Sequence, residues 1–296
     1  MTAHEKGILR YKWNYKISIY HPENIDALSY LKELENIPAP DIFNVRDLKK
    51  TKDEIITIEE LLKAYKIMTD WLGKDNILIP IENIHILSPD EFRKKLPYTD
   101  VDRFNGFAIY NHCYVMRGVE TFLHDLSHEM AHLLSFCYHV ARLSLKEEGK
   151  LHIRTTMLQS GVNKHNLNQS TFNGLNEALT EKVANILIRE VLRVGNVPSR
   201  FINKTNTSQF YFGQVYVLDY LVRKISNTAN VSVVQKKIIM AYTTGNLHHL
   251  DLLLSSKSIR RIIKSMGTGV EDAETTARAI GNQELIDKIR NTESWS

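Results

Sequence analysis

Apolar and polar residues alternate along the segment YKWNYKISIY, residues 11–20, so that one side of the segment is apolar and the other is polar. This two-residue period is typical of a half-buried β-strand. A helical period follows over residues 24–34 and again from Thr57, where Thr57 and Glu60 match a capping box and Gly73 closes the segment. The N-terminal quarter of the chain therefore predicts one strand followed by two helices.

Two further β-like runs come before the first long helical pattern. The sequence NILIPIENIHILSP, residues 76–89, predicts a strand, and Ser88 followed by a proline and by Glu91 predicts the start of a helix. The sequence NGFAIYNHCYVMRG, residues 105–118, predicts a second β-structure with a turn near Asn111. These runs predict a small mixed sheet.

Beyond this point the spacing of apolar residues is mainly helical. The predicted helices cover residues 119–145, 173–194, 209–227, 231–243 and 247–266, and residues 150–158 are a later strand candidate. The pattern predicts an α+β, largely helical fold. We expect a small mixed N-terminal sheet to cover the helix that starts at Val119, with a cleft between that lobe and a helical C-terminal lobe.

Composition and charge restrict the classes of function. The chain has 296 residues, 43% of them hydrophobic and 24% charged, which suits a globular protein with a sizeable core. The net charge of +4 is spread along the chain, so no nucleic-acid partner is expected. The two cysteines form no C-x-x-C pair, and the sequence contains neither a signal-peptide pattern nor about 18 consecutive apolar residues. We therefore expect a cytoplasmic protein without a membrane segment.

The sequence HDLSHEMAHLL, residues 124–134, contains the pattern H-E-x-x-H at His128, Glu129 and His132. On a helix, His128 and His132 lie one turn apart on one face, roughly opposite the apolar stripe. Two imidazoles in this arrangement can both reach one metal ion, and Glu129 then stands beside the ion, where a base acting on water is needed. The alternative is three solvated polar side chains on one face of a helix.

A second helical pattern, residues 173–192, supplies a candidate for a third metal ligand. Glu177 and Glu181 lie one turn apart on a stripe that continues with Ala184 and Ile188, so this face is expected to turn into the protein. Buried carboxylates need a cation or hydrogen-bond donors as partners. The alternative is two exposed acids that are favoured by the dipole of the helix N-terminus.

Together, H-E-M-A-H at residues 128–132 and L-N-E-A-L-T-E at residues 175–181 resemble the motifs of the gluzincin metallopeptidases, the group that includes thermolysin and the zinc aminopeptidases. Their pattern is H-E-x-x-H followed by N-E-x-x-x-D or a close relative. The resemblance covers roughly residues 105–192. It implies a zinc-dependent peptidase whose substrate is a peptide or a protein.

The resemblance implies a role for each matching position. It gives three ligands of one Zn²⁺ ion, a general base that activates the zinc-bound water and two partners that orient the ligand imidazoles. These residues are His128, His132 and Glu177 for the zinc, Glu129 for the base, and Asn176 and Glu181 for the orientation. Residues 106–116 would be the edge strand along which an extended peptide lies.

Two departures from the family pattern affect these expectations. Glu181 stands where the thermolysin pattern has the shorter Asp. In addition, 44 residues separate His132 from Glu177, far more than in thermolysin-like enzymes, so residues 146–172 are expected to form an insertion that shapes the substrate cleft.

The motifs divide the chain into two predicted regions. Residues 1–75 form an N-terminal strand and helix segment, and residues 76–296 form the metallopeptidase catalytic region. Within the catalytic region, residues 76–145 supply the sheet and the H-E-x-x-H helix, residues 146–172 the insertion, and residues 173–296 the helical lobe with the Glu-ligand helix.

The reaction also needs a donor that stabilises the oxyanion of the transition state. The candidates are Tyr211, Tyr216, Tyr220, His248 and His249. We choose Tyr211, because its segment resembles the Y-x-K-G helix of zinc aminopeptidases with the register shifted by one. The alternative is an aromatic side chain packed at the start of a helix. Three other histidines are interpreted as packed or capping side chains: His112, His124 and His139.

The expected function is zinc-dependent hydrolysis of peptide bonds. An endopeptidase is preferred, because the acidic exopeptidase motif that precedes H-E-x-x-H in the zinc aminopeptidases is not found in this sequence. The alternative is a non-catalytic zinc-binding or regulatory protein with the same ligands. The presence of Glu129 argues against it, because a structural zinc site needs no base and is usually closed by four ligands rich in Cys.

Overall fold

The computed structural model of the chain describes residues 4–10, 15–21, 45–72, 79–95, 105–109, 112–135, 137–145, 151–166, 169–202, 211–226, 231–251, 253–254 and 256–293. These ranges contain nine α-helices and two β-sheets, so the predicted α+β, largely helical fold is confirmed. The helix predicted over residues 24–34 and Gly73 lie outside the described residues.

The helices account for most of the described chain. They are α1 (Lys52–Trp71), α2 (Pro89–Lys95), α3 (Phe122–Leu134), α4 (Asn173–Val194), α5 (Phe212–Ser226), α6 (Val231–Thr244), α7 (Lys257–Lys264), α8 (Val270–Ile280) and α9 (Gln283–Glu293). Short 3-10 helices cover Ile81–Asn83, Ser199–Phe201 and Leu247–Leu250. In the part of the chain that the structure describes, no helix combines the length and the apolar character needed to cross a bilayer.

A small mixed sheet consists of β3 (Ile84–Leu87), β4 (Gly106–Ile109) and β5 (His112–Met116) in the order β3-β5-β4. Strand β5 pairs in parallel with β3 and antiparallel with β4. One face of β3 and β5 packs into the main core against α3, and the opposite face packs against Phe92 of α2. The predicted β-run over residues 105–118 is thus a hairpin, in which β4 lies at the sheet edge and β5 in the middle. The expected edge strand over residues 106–116 is therefore wrong in its second half, because β5 is paired on both sides.

A second sheet has six strands in the order β1-β2-β6-β7-β8-β9. Its strands are β1 (His4–Arg10), β2 (Tyr15–His21), β6 (Cys137–Leu145), β7 (Leu151–Ser160), β8 (Asn163–Asn166) and β9 (Gln169–Thr171). Strand β2 pairs in parallel with β6, and the other neighbours pair antiparallel. The strand predicted at residues 150–158 matches β7. The segment between the two motif helices therefore builds most of a sheet.

The helix predicted over residues 119–145 is wrong in its second half. Helix α3 ends at Leu134, Ser135 is extended, and the chain continues as β6. Strand β6 pairs with β7 along its whole length and with β2 on its other side. These ladders satisfy the backbone polar groups of β6, and this long-range pairing outweighs the local helical spacing of its apolar residues.

The predicted start of the second helix at Thr57 is also wrong. Helix α1 begins six residues earlier, with Thr51 as its N-cap: the Thr51 hydroxyl accepts from the Glu54 N–H at 3.3 Å, and the Glu54 carboxylate accepts from the Thr51 N–H at 2.6 Å. Both starts match the T-x-x-E pattern. The first is selected because Glu54 also accepts two hydrogen bonds from Arg117, at the end of β5, each at 2.8 Å.

The predicted helix over residues 247–266 is interrupted. The 3-10 helix at its start is followed by Asp251 and then by α7, which Ser256 caps with its side chain. Helices α8 and α9 follow in a part of the chain for which no helix was predicted. The short apolar repeats of this region indicate helix, but they do not determine where one helix ends and the next begins.

Helix α3 is sandwiched between the small sheet and α4. Every residue of α3 except His132 is buried, including the polar side chains of the H-E-x-x-H motif. The polar face of α3 is therefore covered by α4 rather than by solvent, and its charged and hydrogen-bonding groups need partners within the protein.

Candidate metal centre

Two histidines of α3 and one glutamate of α4 meet where the two helices pack together. His132 Nε2 lies 3.2 Å from His128 Nε2. Glu177 Oε2 lies 3.5 Å from His128 Nε2 and 3.4 Å from His132 Nε2. We call these three atoms the ligand triangle. The residues that the sequence nominated as metal ligands are thus brought together by the fold.

The ligand triangle fits a tetrahedral metal ion. Two ligands that each lie about 2.0–2.1 Å from a tetrahedral ion are about 3.3–3.4 Å apart. The three separations of 3.2, 3.4 and 3.5 Å lie close to this value on every side. An ion slightly above the plane of the triangle would contact all three atoms and retain a fourth position for another ligand.

The charges of the ligand triangle are complementary to one another. Burial acts to raise the pKa of Glu177, but the imidazoles of His132 and His128 outweigh it and lower that pKa well below its ordinary value. Burial acts to lower the pKa of His128, but hydrogen bonds to Glu177 and Glu181 outweigh it and raise that pKa. The anionic carboxylates therefore hold a positive charge at this point, and a metal ion can supply that charge in place of protons.

The start of α4, which sets the position of Glu177, is fixed by backbone contacts. The Gly174 N–H donates to the Met266 carbonyl oxygen at 2.9 Å, which satisfies one of the free N–H groups of the first helical turn. A methyl group on Gly174 would lie 2.1 Å from the Gly267 carbonyl oxygen. Only glycine permits this close approach, which ties α4 to the connection between α7 and α8.

Glu129 is buried beside the ligand triangle. Burial raises the pKa of its carboxyl group, and the nearby His132 and His128 imidazoles partly oppose that shift. On its other side Glu129 packs against the first residue of β4: a methyl group on Gly106 would lie 2.6 Å from Glu129 Cγ and 2.9 Å from Oε1. The carboxyl group of Glu129 therefore lies between the histidines and the start of the edge strand.

Tyr211 comes to the site from the residue before α5. Its ring stacks on the His128 imidazole, with the centroids 5.7 Å apart and the planes inclined by 17°. Its backbone φ of 56° is left-handed, which is unusual for a tyrosine and directs the side chain towards α3. Burial raises the pKa of the Tyr211 hydroxyl, and the anionic Glu177 and Glu129 add to the shift, so the phenol stays protonated at neutral pH and can donate a hydrogen bond.

The other oxyanion candidates have different contacts. The Tyr216 hydroxyl lies 3.3 Å from Thr292 Oγ1, and its ring carries the Lys288 ammonium group 4.0 Å from the centroid. His248 is exposed and pairs with Asp251 at 3.1 Å. Of the candidates, Tyr211 is the one whose described ring contacts include a residue of the ligand triangle.

Glu181 contacts Nδ1 of His128, the ring nitrogen that is not part of the ligand triangle. Its Oε2 lies 3.0 Å from His128 Nδ1, and its Oε1 lies 2.7 Å from Nε2 of His124, one turn earlier on α3. We call His124, Glu181 and His128 the Glu181 clamp. Burial acts to raise the pKa of Glu181, but the hydrogen bonds from His124 and His128 outweigh it and lower the pKa to about 2. The carboxylate is therefore ionised and accepts a hydrogen bond at each oxygen.

His124 is one residue of this site that sequence reasoning missed, and Thr180 is another. His124 was interpreted as a packed or capping side chain, and it is buried, but it also bonds to Glu181. Burial acts to lower its pKa, yet hydrogen bonds to Asp125 and Glu181 outweigh it and raise the pKa to about 9. The available signal was its spacing, because His124 precedes His128 by the same four residues that separate His128 from His132.

The Glu181 clamp also brings three ligand-type atoms close together, so both groups could hold a metal ion. The distances favour the ligand triangle. In the clamp the contacts of 2.7 and 3.0 Å are hydrogen-bond lengths, and each imidazole uses a different oxygen of one carboxylate. The clamp is thus built as a set of hydrogen bonds, whereas the triangle has the spacing of metal ligands.

Asn176 reaches the ligands indirectly. Among the described contacts, its side-chain oxygen accepts from the Val162 N–H at 3.2 Å, and its backbone carbonyl oxygen accepts from the Thr180 hydroxyl at 3.0 Å. Thr180 Oγ1 lies 3.5 Å from His132 Nδ1 and 2.7 Å from the hydroxyl of Tyr242. Among the described contacts, the group beside His132 Nδ1 is therefore the Thr180 hydroxyl, which Tyr242 contacts in turn.

A second histidine pair lies on the small sheet, on the face turned away from α3. His85 Nε2 lies 2.7 Å from His112 Nδ1, and His85 Nδ1 lies 3.0 Å from both carboxylate oxygens of Asp47. His112 is buried, in line with its interpretation as a packed side chain. The side chain of His139 lies outside the described part of the chain.

Comparisons of the chain with protein-family models, with curated proteins and with solved structures found no match.

Proposed function

We propose that the chain is a zinc-dependent metallopeptidase of the gluzincin group, and that it cleaves internal peptide bonds. One observation carries the proposal: His128, His132 and Glu177 form a ligand triangle with sides of 3.2–3.5 Å, and Glu129 is buried next to it on the same helix. A metal site that had only a structural role would have no need of this carboxyl group.

Zinc is the proposed metal because two imidazoles and one carboxylate are a ligand set that suits it. Three protein ligands are also typical of catalytic zinc sites, which keep a fourth position for water or substrate. The side chains of His132 and Glu177 are 21% and 12% exposed, whereas that of Glu181 is 1% exposed. The triangle is therefore reached from solvent on the side of His132 and Glu177.

A zinc ion at the ligand triangle would polarise a water molecule and the substrate carbonyl group. Glu129 would take the proton of the attacking water on its carboxylate and then deliver it to the nitrogen of the leaving amine. The burial that raises the pKa of Glu129 improves it as a proton acceptor. Tyr211, held protonated by burial and by the nearby carboxylates, would donate a hydrogen bond to the oxyanion.

The proposed substrate is an extended segment of a peptide or protein. In the described part of the small sheet, β4 is an edge strand, and its first residue Gly106 packs against Glu129. A substrate that pairs with β4 through its backbone would therefore lie beside the base. Recognition through an edge strand requires no free terminus, which favours an endopeptidase.

The first experiment measures the zinc content of the purified protein after it has been reloaded with zinc. We expect about one zinc per chain in the wild type and a reduced content in Glu177→Ala. Glu190→Ala is the matched control, because Glu190 lies on the same helix but pairs with Arg193 on the surface, and it should keep the wild-type content. A wild-type protein that takes up no zinc would remove the proposal.

The second experiment measures cleavage of a peptide library by the wild type and by Glu129→Gln. We expect cleavage at internal bonds that needs zinc and that falls by a factor of about 10²–10⁴ in the variant, which should still bind zinc. If both proteins bind zinc and neither cleaves peptides, the function is the non-catalytic zinc-binding alternative. Release of single N-terminal residues would instead indicate an aminopeptidase.

A further inference from the structure

The hydrogen-bond donors and acceptors around His124 form a continuous chain that ends at the metal ligand His128. His124 Nε2 lies 2.7 Å from Glu181 Oε1, and Glu181 Oε2 lies 3.0 Å from His128 Nδ1. On the other side of the ring, His124 Nδ1 lies 3.5 Å from Asp125 Oδ1. Every one of these side chains is buried.

One assignment of hydrogen atoms satisfies the whole chain. A histidine that binds a metal through Nε2 carries its proton on Nδ1, so His128 donates to Glu181. The carboxylate of Glu181 can only accept, so its second oxygen must be met by a donor from His124. Asp125 is also an acceptor, and it receives a further hydrogen bond from the Thr121 hydroxyl at 2.6 Å. His124 thus has an acceptor at each ring nitrogen.

The burial of Glu181 leads to the same assignment. Its side chain is 1% exposed, so both carboxylate oxygens need hydrogen-bond donors from within the protein. His128 lies at Oε2, and the described partners of Oε1 are His124 at 2.7 Å and Asn185 at 3.3 Å. His124 makes the shorter contact and is therefore the group that holds Oε1 in place.

We propose that His124 is a positioning residue of the metal site: it fixes the Glu181 carboxylate, which in turn fixes the ring orientation and the tautomer of the ligand His128. The chain continues from Asp125 through Thr121 to Asn105, which donates to the Thr121 hydroxyl at 3.3 Å. Asn105 is the residue before β4, so the orientation of His128 is tied to the strand that packs on Glu129. This inference rests on the proposed function, because it takes His128 as a metal ligand.

The test compares His124→Phe, which removes both donors, with His124→Gln, whose amide keeps a donor at the position of Nε2. Zinc affinity is measured by competition with a chelator, and the visible spectrum of the cobalt-loaded protein reports the ligand geometry. We expect His124→Phe to weaken zinc binding by about 10–100-fold and to alter the cobalt spectrum, as loss of a residue that orients a ligand does. His124→Gln should recover most of the affinity and the wild-type spectrum.

His85→Phe is the matched control. His85 is also a buried histidine bonded to a carboxylate, but it lies on the opposite face of the small sheet. It should be as disruptive to packing as His124→Phe and yet leave zinc affinity within about threefold of the wild type. Equal losses of affinity in the two variants, or wild-type affinity in a folded His124→Phe, would overturn the proposal.

A second measurement does not depend on metal. Proton–nitrogen NMR of metal-free protein labelled at histidine reports whether the Nδ1 proton of His128 is held in a hydrogen bond. We expect a slowly exchanging Nδ1–H signal in the wild type and its loss in His124→Phe. If the wild type shows this signal, the variant loses it and neither binds zinc, the proposed function fails while the positioning role stands. An unchanged Nδ1–H signal in the variant excludes the positioning role whatever the metal content.

Discussion

The ligand triangle and the Glu181 clamp are made of the same kinds of group and share His128, but their distances differ. The triangle has three atoms from different residues 3.2–3.5 Å apart, one of them a carboxylate oxygen that both histidines face. The clamp has contacts of 2.7 and 3.0 Å, with one carboxylate oxygen for each histidine. The first has three atoms at the mutual spacing of metal ligands, and the second is a set of short hydrogen bonds.

This difference shows how one helix face can serve two purposes. A histidine has two ring nitrogens, and the partner of one determines what the other can do. Nδ1 of His128 faces Glu181, so Nε2 is the ring nitrogen that faces the triangle. The histidines repeated every four residues along α3 therefore have one end at His132 that could hold a metal ion and a hydrogen-bonded end at His124.

The largest expected effects separate the two carboxylates. Glu177→Ala should weaken zinc binding more than about 100-fold, beyond the range for residues that only orient a ligand, because a direct ligand is lost. Glu181→Ala should weaken zinc binding less, by about 10–100-fold. It should, however, lower the free energy of unfolding by about 3–5 kcal/mol, because it leaves two buried histidines without their carboxylate.

Chelator competition and denaturant unfolding of the two variants measure these quantities. Glu177→Gln and Glu181→Gln serve as controls for the loss of volume, since they change charge but not size. Were Glu181→Ala to cost more zinc affinity than Glu177→Ala, the assignment of triangle and clamp would have to be exchanged.

The next effect is that of metal removal. Zinc that binds only the folded protein should add about 2.7 kcal/mol to the free energy of unfolding when its concentration is 100 times the dissociation constant. Calorimetry with zinc and with excess chelator should show this as a higher unfolding temperature for the zinc-loaded wild type. Glu177→Ala should show no such difference at the same zinc concentration, whereas Glu181→Gln should keep part of it.

A smaller effect is expected from Gly106→Ala, which changes neither Glu177 nor Glu181. The added methyl group would lie 2.6 Å from Glu129 Cγ, so Glu129 or β4 must shift, at a cost of about 1–3 kcal/mol. We expect a loss of peptide cleavage with unchanged zinc content. Reduced zinc content in this variant would mean that Glu129 and the ligand triangle cannot be treated as separate parts of the site.

The smallest effect is expected from Thr180→Val, which removes the hydroxyl beside His132. The contact of 3.5 Å between Thr180 Oγ1 and His132 Nδ1 is longer than either contact of the clamp. One hydrogen bond of about 0.5–1.5 kcal/mol corresponds to a loss of zinc affinity of about two- to tenfold. Thr180→Ser retains the hydroxyl and should bind zinc like the wild type in the same chelator assay.

The local spacing of residues in the sequence was sufficient to predict some features of the fold and of the site. His128 and His132 share a helix face, as do Glu177 and Glu181, because residues four apart lie one turn apart on any α-helix. The bounds of α4 were predicted closely for the same reason: its apolar period is uninterrupted over 22 residues. Strand β7 was also found, from the sequence of its own segment.

Contacts between residues far apart in the chain determine the features that the sequence did not predict. The segment after Leu134 is a strand because β7 and β2 pair with it, and α1 begins at Thr51 because Arg117 holds Glu54. His124 belongs to the site because Glu181, 57 residues later in the chain, packs against it.

The sequence by itself thus determined which side chains share a face, because helical geometry is local. The tertiary structure alone decided which atoms meet. The packing of α3 on α4 brings Glu177 to one end of the histidine row and Glu181 to the other. The left-handed backbone of Tyr211 directs its ring towards His128, and the absence of a side chain at Gly106 lets Glu129 pack against β4. These contacts join residues far apart in the chain, so the local spacing of residues does not predict them.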